Sequence, residues 1–402
     1  MDKPKLWTKN FCINAAANLI VYMVYYFLMV TIASYAANNL NATPSQAGLA
    51  SGIFIIGALA ARVVTGKYID RAGRKRVLTI GLLFYIATTF LYFVANNLAL
   101  LLAVRLLHGV GFGIAGTATG TIAAGIIPTS RHGEGISYYA MSATLASAVG
   151  PFLGMFLIGR GNFSMILVMS VALLSVCFIA ALFLKVPEAE LSEEEPGRPK
   201  GYRLDSFFES KAVPVSVVSL SIGLVFSSIL GFLNTYTNEI NLNEAGSVFF
   251  IVYAVSILVS RPLTGKWFDR RGENFVMYPS FVLFCAGLVV LSQAHHSFSL
   301  LSAGVLVGFG YGTFLSAAQA IAVRVSPGHR KGLATSTFFS FLDGGIGIGP
   351  FLLGFLIPRA GFRVMYLMMA VSACVCGVLY FYLHGKKAHR EEVIAGSSLR
   401  QE

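Results

Sequence analysis

The stretch ARVVTGKYIDRAG, residues Ala61–Gly73, occurs a second time as SRPLTGKWFDRRG over Ser260–Gly272. The two copies lie 199 residues apart (260 minus 61), and they align without a gap. A second landmark keeps the same offset, because GPFL at 150–153 returns at 349–352. Separate landmarks in one register indicate that the chain contains two copies of one structural unit, as parallel-repeat membrane proteins do.

The composition indicates that both copies lie in a membrane. Of the 402 residues, 56% are hydrophobic and 12% are charged, against roughly 45–50% and 25% in globular proteins. A helix needs about 20 apolar residues to cross the hydrocarbon core. Such runs occur near 11–37, 46–66, 77–95, 98–126, 135–158, 163–184, 213–237, 246–265, 275–294, 298–323, 333–357 and 363–383. The sequence therefore predicts an all-α integral membrane protein with twelve transmembrane helices in two six-helix bundles, arranged as parallel repeats with pseudo-twofold symmetry.

A polar segment separates the two bundles. Residues 186–211 are rich in proline and charge, so they can neither cross a bilayer nor bury a core. We expect an N-terminal bundle over 1–185, a cytoplasmic linker over 186–211, and a C-terminal bundle with a cytoplasmic tail over 212–402.

The net charge of +12 is explained by topology. Most Lys and Arg residues fall in segments that an inside N-terminus would place in the cytoplasm, as the positive-inside rule requires. We therefore expect a multi-pass protein of the plasma membrane with both termini cytoplasmic, in contact with the lipid bilayer and with no nucleic-acid partner. No cofactor or metal is expected, because the five cysteines lie in apolar runs without metal-ligand spacing and are interpreted as small buried side chains.

The repeated stretch leads into a basic segment, Gly66–Arg76, which we interpret as a short cytoplasmic turn whose glycines allow a tight reversal. Asp70 is the lone carboxylate among these cations and can pair with an arginine or a helix N-terminus. One interpretation is a fixed salt bridge, and the other is a latch that breaks and reforms as the two bundles move. The second copy, with Asp269 and Arg270, favours the latch.

Three motifs resemble those of the major facilitator superfamily of transporters, and the resemblance covers essentially the whole chain. The loop signature of that family is matched by Gly66, Asp70, Arg71, Gly73, Arg74 and Lys75. Its fourth-helix motif is matched by Leu101, Arg105, Gly109, Gly111 and Gly113, with His108 where Gln is frequent. The fifth-helix signature of the drug:proton antiporter branch is matched by Gly150, Pro151 and Gly154, while Ala146 and Met155 stand at preferred glycine positions.

The charged loop residues predict a cytoplasmic gate, and the resemblance adds a hinge. The expected gate residues are charged and lie near the cytoplasmic ends of the spans: Asp70, Arg71, Arg74, Glu134, Asp269 and Arg270. The expected hinge residues are the Gly-Pro pairs of the two copies: Gly150, Pro151, Gly349 and Pro350. Because proline removes a backbone hydrogen bond and bends a helix, the alternative for these pairs is a packing kink without hinge motion.

Three ionisable residues inside predicted spans are candidates for proton coupling. Asp343 lies about ten residues, or ~15 Å, into the eleventh span, where an ionised and unpaired carboxylate is costly. It is expected to carry a coupling proton, unless it forms an inert pair or a capped polar contact. Arg105 stays charged and must find acceptors; the resemblance links it to protons or substrate, and the alternative is an anchor on backbone carbonyls. His108 can titrate near neutral pH or be a hydrogen-bonded core residue.

Polar residues at helical spacing suggest which helices line a path through the membrane. The candidates for substrate binding are Asn14, Asn18, Tyr22 and Tyr25 in the first span, Asn234 in the seventh, and Tyr311 and Gln319 in the tenth. Hydrogen bonding between helices is the alternative explanation for each stripe.

With the resemblance, these features predict a secondary active transporter and not an enzyme. We expect proton-coupled efflux of a small amphipathic compound by alternating access, with the chain acting as a monomer. A proton-coupled importer of a small metabolite is the alternative. ATP is not expected to drive transport, because the sequence lacks a nucleotide-binding Gly-x4-Gly-Lys-Ser/Thr loop. A channel or a membrane-embedded enzyme is disfavoured, since no clustered catalytic set is visible, and the substrate identity stays open.

Overall fold

The computed structural model describes residues 4–128, 132–160, 163–186, 208–327 and 331–386, which are almost entirely helical. The helices are α1 Lys9–Leu40, α2 Pro44–Ala72, α3 Arg74–Leu91, α4 Leu98–Ile126, α5 His132–Ile158, α6 Phe163–Leu182, α7 Val213–Glu239, α8 Asn243–Arg271, α9 Asn274–Ser292, α10 Ser297–Arg324 and α11 Lys331–Tyr380. A 3₁₀ turn, Tyr92–Val94, follows α3, and a π turn, Phe381–Gly385, follows α11.

The last helix, α11, is two membrane-crossing segments joined end to end. Gly361 adopts φ 74° and ψ 170° inside it, a conformation that only glycine reaches easily. The segments 331–360 and 362–380 therefore count separately. Eleven helices of the described chain are long and apolar enough to cross a membrane, and the break in α11 makes twelve segments. The predicted all-α fold with twelve membrane helices is confirmed.

Side-chain caps fix the residue at which several helices begin. Thr43 accepts a hydrogen bond from the Gln46 backbone N–H at 3.4 Å, and the Gln46 side chain accepts one from the Thr43 N–H at 2.9 Å. Asn97 caps α4 in the same way through the Leu100 N–H at 2.9 Å. Polar caps satisfy the free N–H groups of a first turn. For this reason α2 begins at Pro44, two residues before the predicted span.

The predicted turn over 66–76 is wrong in extent. Helix α2 continues through Ala72, and the backbone leaves helical geometry at Gly73, with φ 87°. The second copy repeats this arrangement, because α8 ends at Arg271 and Gly272 has φ 81°. Hydropathy detects where a helix leaves the lipid, but a helix keeps its own backbone hydrogen bonds beyond that point. Much of the basic segment therefore lies on the last turns of α2 and α8.

The chain folds as two compact units, Met1–Arg198 and Pro199–Glu402. In the first unit α4 packs against α2 and α3, and α1 packs against α5. In the second unit α10 packs against α8 and α9, and α7 packs against α11. The two sets of contacts correspond helix by helix. The predicted linker over 186–211 lies outside the described residues except at its two ends.

Glycines at the helix crossings repeat with the offset of the sequence. A Cβ on Gly109 of α4 would lie 2.0 Å from the carbonyl oxygen of Phe54 in α2. A Cβ on Gly308 of α10 would lie 2.5 Å from the carbonyl oxygen of Tyr253 in α8. Both members of the second pair lie 199 residues after those of the first (308 minus 109, 253 minus 54). Small residues let membrane helices approach backbone to backbone, and the duplicated units use this device at equivalent positions.

Candidate functional site

Arg105 of α4 is fully buried inside the first unit. Its Nε donates a hydrogen bond to the Ala50 carbonyl at 2.8 Å, and Nη2 donates to the Ser51 carbonyl at 3.2 Å. Nη1 reaches the Tyr92 hydroxyl at 3.4 Å, and the guanidinium lies 4.7 Å from the Phe54 ring centroid. A permanent charge away from water needs such acceptors. These are the contacts expected of a backbone anchor, and they fix the positive charge between α2 and α4.

His108, one turn further along α4, is also fully buried. Its ring stacks on Tyr85 at 4.4 Å between centroids, and its Nε2 lies 3.1 Å from the Thr89 hydroxyl oxygen. Because that hydroxyl donates its own proton to the Tyr85 carbonyl at 2.7 Å, it accepts from His108. The hydrogen-bond network therefore assigns the proton of the neutral imidazole to Nε2. Nδ1 is left as an acceptor without a hydrogen-bond partner among the described residues.

The second unit has no such polar cluster at the equivalent positions. With the 199-residue offset, Arg105 corresponds to Gly304 and His108 to Val307. The ring of Phe249 lies 3.2 Å from the position that a Cβ on Gly304 would take, so an aromatic ring occupies the region of the arginine. Since the second unit packs the same helices with Gly304 and Val307 at these two positions, close packing alone does not require the cluster in the first unit.

Asn14 and Asn18 of α1 are buried and join three helices. The Asn18 Oδ1 accepts hydrogen bonds from Tyr139 of α5 at 2.8 Å and from Thr119 of α4 at 3.1 Å. Its Nδ2 donates to the Ser142 hydroxyl of α5 at 2.8 Å, while the Asn14 Nδ2 donates to the Thr119 carbonyl at 2.8 Å. These two predicted substrate residues thus make the interhelical hydrogen bonds that were the alternative explanation for their spacing.

The three predicted substrate tyrosines lie in aromatic clusters. In the first unit, the rings of Tyr22 and Tyr25 lie 5.0 and 5.1 Å from that of Phe112. In the second unit, Tyr311 stacks on Phe226 at 3.7 Å with the planes 6° apart. Phe112 and Tyr311 are equivalent under the offset (311 minus 112). The aromatic clusters, unlike the arginine, are therefore common to both units.

The remaining predicted substrate residues differ in exposure. Gln319 lines an open depression of about 540 Å³ on α10, together with Ser316 and Arg324. Asn234 is buried in α7, and its Nδ2 lacks a hydrogen-bond partner among the described residues. Of the pair, Gln319 is the one in position to meet a solute.

Asp343 lies at a close crossing of α11 and α7. A Cβ on Gly345 would lie 2.0 Å from the Leu220 carbonyl oxygen, and a Cβ on Gly223 would lie 2.4 Å from that of Leu342. Asp343 itself is half-buried. No atom lies within 4 Å of the position that a Cβ on Gly344 would take. Asp343 thus lies on a tightly packed helix, and its neighbour Gly344 borders open space.

The predicted gate residues Arg71 and Arg270 are exposed in the last turns of α2 and α8. The side chains of Asp70, Glu134 and Asp269 lie outside the described part of the structure. The predicted latch contacts of those carboxylates are therefore still predictions.

A charge cluster that sequence reasoning missed lies beside the second copy of the gate motif. Glu273, equivalent to Arg74 (273 minus 74), is fully buried and accepts hydrogen bonds from Arg324 and from His384, the latter at 2.5 Å. Arg324 is equivalent to Gly125 (324 minus 125), and the Arg74 guanidinium lies against Gly125. The two units thus place opposite charges at equivalent positions. The sequence does contain a sign of this cluster, because the second copy of the motif has Glu273 where the first copy has the basic residue Arg74.

The predicted hinge pairs lie inside continuous helices, with Pro151 in α5 and Pro350 in α11. A Cβ on Gly150 would lie 2.6 Å from the Tyr26 Cβ of α1, and one on Gly349 would lie 1.9 Å from the Ser227 hydroxyl of α7. Both glycines therefore permit close packing on the first helix of their own unit.

Two repeated six-helix units with ionisable residues on their spans define the architecture of a secondary membrane transporter. A sequence model of the Major Facilitator Superfamily matches residues 15–291 and 237–399. The chain belongs to this superfamily of transporters.

Relatives and solved structures agree with this assignment. The chain is 25% identical over 362 residues to an uncharacterised MFS-type transporter of Methanocaldococcus jannaschii, covering 88% of this chain and 93% of that protein. It is 26% identical over 380 residues to one of Burkholderia pseudomallei, covering 92% and 90%. Its fold is similar to those of the nucleoside transporter NupG, with a TM-score of 0.76 at 14% identity and coverage of 94% and 99%, and of the peptide transporter POT, with 0.77 at 13% and coverage of 95% and 95%.

Proposed function

We propose that this protein is a secondary active transporter that exports a small amphipathic compound in exchange for protons, by alternating access. The observation that carries the proposal is Asp343, a half-buried carboxylate within a membrane-crossing helix. Ionisable residues in such segments are costly and mark ion or substrate pathways. A carboxylate can take up a proton from one side of the membrane and release it to the other, which is the step that proton exchange needs.

Arg105 and His108 have a supporting role in this proposal. The buried guanidinium is held by three hydrogen bonds, so its charge does not move within the first unit. Protonation of His108 would add a second positive charge one turn away, at a nitrogen without an acceptor among the described residues. Asp343 is therefore the better proton carrier of the three, and Arg105 and His108 adjust the potential that a proton or a cationic substrate meets.

The remaining roles follow the resemblance described above. Asp70, Arg71, Arg74, Glu134, Asp269 and Arg270 would form the gate, with Gly150, Pro151, Gly349 and Pro350 as hinges. The substrate would contact Gln319, which lines the open depression on α10, and Tyr311 of the same helix. The chain would act as a monomer in the plasma membrane with both termini in the cytoplasm.

Import of a small metabolite is the second candidate. It is favoured by Ala146 and Met155, which stand at positions where the antiporter signature prefers glycine. The direction of substrate movement in vesicles of known orientation distinguishes the two candidates.

The test uses inside-out vesicles with an imposed acidic interior and a pH-sensitive dye, across a panel of amphipathic compounds. We expect at least one compound to dissipate the pH gradient with the wild type and with Glu244→Gln, whose carboxylate is exposed at the start of α8. Asp343→Asn should not respond. An equal response from Asp343→Asn would refute proton transfer through this residue, and uptake of the compound by intact cells would establish import.

A further inference from the structure

Two cysteines of the second unit meet at a helix–helix contact. The Sγ atoms of Cys285 in α9 and Cys374 in the second segment of α11 lie 3.1 Å apart. Both are free thiols. Sulfur atoms at this separation need to approach by only about 1 Å to reach the ~2.05 Å of a disulfide bond.

The register of the two helices is fixed on one side of the thiols. One turn away, a Cβ on Gly377 would lie 3.5 Å from the Cβ of Phe281, which is ordinary packing contact. Further along, the Tyr380 hydroxyl donates a hydrogen bond to Asn274 at 2.9 Å, and Asn274 donates to the Gly385 carbonyl at 3.0 Å. A slip of either helix would break these contacts, so the two thiols stay opposite each other.

The thiol pair lies on an exposed, apolar surface of two membrane-crossing helices. Cys374 is exposed and Cys285 is half-exposed, and both lie within membrane-crossing helices. Their exposed neighbours are apolar, with Val371 exposed to 65% and Val282 to 66%. Cys376 is buried two residues further on, because residues i and i+2 of a helix point to different faces. The prediction that all five cysteines are buried is therefore wrong for Cys374 and for Cys12, which is also exposed, and holds only in part for Cys285.

Helix packing does not require sulfur at these two positions. Under the 199-residue offset Cys285 corresponds to Ile86 (285 minus 199), and Cys374 corresponds to Ser175 (374 minus 199). The first unit thus forms the same helix contact without a thiol at either place.

We propose that Cys285 and Cys374 form a lipid-facing dithiol that lipid-soluble quinones oxidise to an intramolecular disulfide. Two S–H bonds break and one S–S bond forms. The quinone takes up the two electrons and two protons, and its two carbonyl groups become the hydroxyl groups of the quinol. A quinone fits this site because it dissolves in hydrocarbon and accepts both electrons and both protons without a second reagent.

The test uses the purified full-length protein in liposomes, treated with tetramethyl-benzoquinone, whose fully substituted ring resists addition of thiols. We expect the intact mass to fall by two hydrogens and a peptide map to join Cys285 to Cys374, with the formation of one quinol per chain. Cys376→Ala, the matched control, should behave in the same way. Cys285→Ala and Cys374→Ala should lose no hydrogens.

Several outcomes would overturn the proposal. The assignment fails if both thiols of the wild type still react with a maleimide after complete treatment, or if the map joins other cysteines. It also fails if non-reducing gels show covalent dimers through Cys374. Oxidation by aqueous ferricyanide but not by the quinone would contradict the lipid-facing location.

Discussion

Gly109 is the position where one added methyl group tests the helix-crossing geometry most directly. In Gly109→Ala the new Cβ would lie 2.0 Å from the Phe54 carbonyl oxygen, whereas ordinary contacts begin at 3.4 Å. The shortfall is 1.4 Å (3.4 minus 2.0), and the obstacle is backbone that no side-chain rotation can move. Helix α2 must therefore shift away from α4 by more than an ångström.

The expected magnitude follows from two opposing terms. Overpacking of a tight core costs typically about 1–3 kcal/mol and sometimes more, while replacing a helical glycine by alanine returns roughly 0.5–1 kcal/mol. Because the contact is with backbone, the upper end of the overpacking range applies, and Gly109→Ala should destabilise the protein by about 2 kcal/mol, the difference between about 3 and 0.5–1 kcal/mol. Gly116→Ala, in the same helix, places its Cβ where no atom lies within 4 Å, so only the favourable helix term applies.

The assay is reversible unfolding in mixed micelles of increasing dodecyl sulfate content, followed by far-ultraviolet circular dichroism. We expect the two variants to differ by about 2–3 kcal/mol in free energy of unfolding. Gly308→Ala, with its Cβ 2.5 Å from the Tyr253 carbonyl oxygen, should show a smaller loss in the same direction. If Gly109→Ala is as stable as Gly116→Ala, the close approach of α2 and α4 is wrong.

Two further substitutions test the buried charges. Glu273→Gln should lower the free energy of unfolding by about 1–3 kcal/mol, since it removes the buried negative charge that pairs with Arg324 and His384. Thermal unfolding measures this loss, with Glu244→Gln as the control. Equal stability of the two variants would contradict the prediction. Arg105→Met should lower the free energy of unfolding by about 1–3 kcal/mol, because it removes three buried hydrogen bonds and does not supply the aromatic ring that fills this region in the second unit. Compound-dependent proton flux per folded molecule should also fall, since the substitution removes a charge from the membrane-crossing segment. Flux at the wild-type level would show that the charge is dispensable.

The repeat and the number of spans could be predicted from the sequence because both are written in regular patterns. Apolar runs of about 20 residues indicate membrane-crossing helices. The repeated GPFL and loop motifs show how the two halves of the chain align. The ends of the helices were predicted less accurately, since α2 continues to Ala72 through basic residues that hydropathy assigns to a turn.

The candidate site was predicted less well, for a physical reason. A stripe such as Asn14 and Asn18 has the same spacing whether it faces a cavity or a neighbouring helix, and only the position of Tyr139 and Thr119 decides between them. The pairing of Glu273 with His384 joins residues 111 apart in the chain. No local pattern reports such a contact.

The phenyl ring of Phe249, which lies against Gly304 in the second unit, has a practical consequence for engineering. The two units fill equivalent positions differently, with Arg105 in the first and with Phe249 against Gly304 in the second. Either arrangement can serve as the template for redesigning the other. Grafting the apolar solution into the first unit requires Ala50→Phe together with Arg105→Gly, both at the equivalent positions. Such a graft would yield a scaffold without that internal cation, into which an ionisable group could be reintroduced one position at a time.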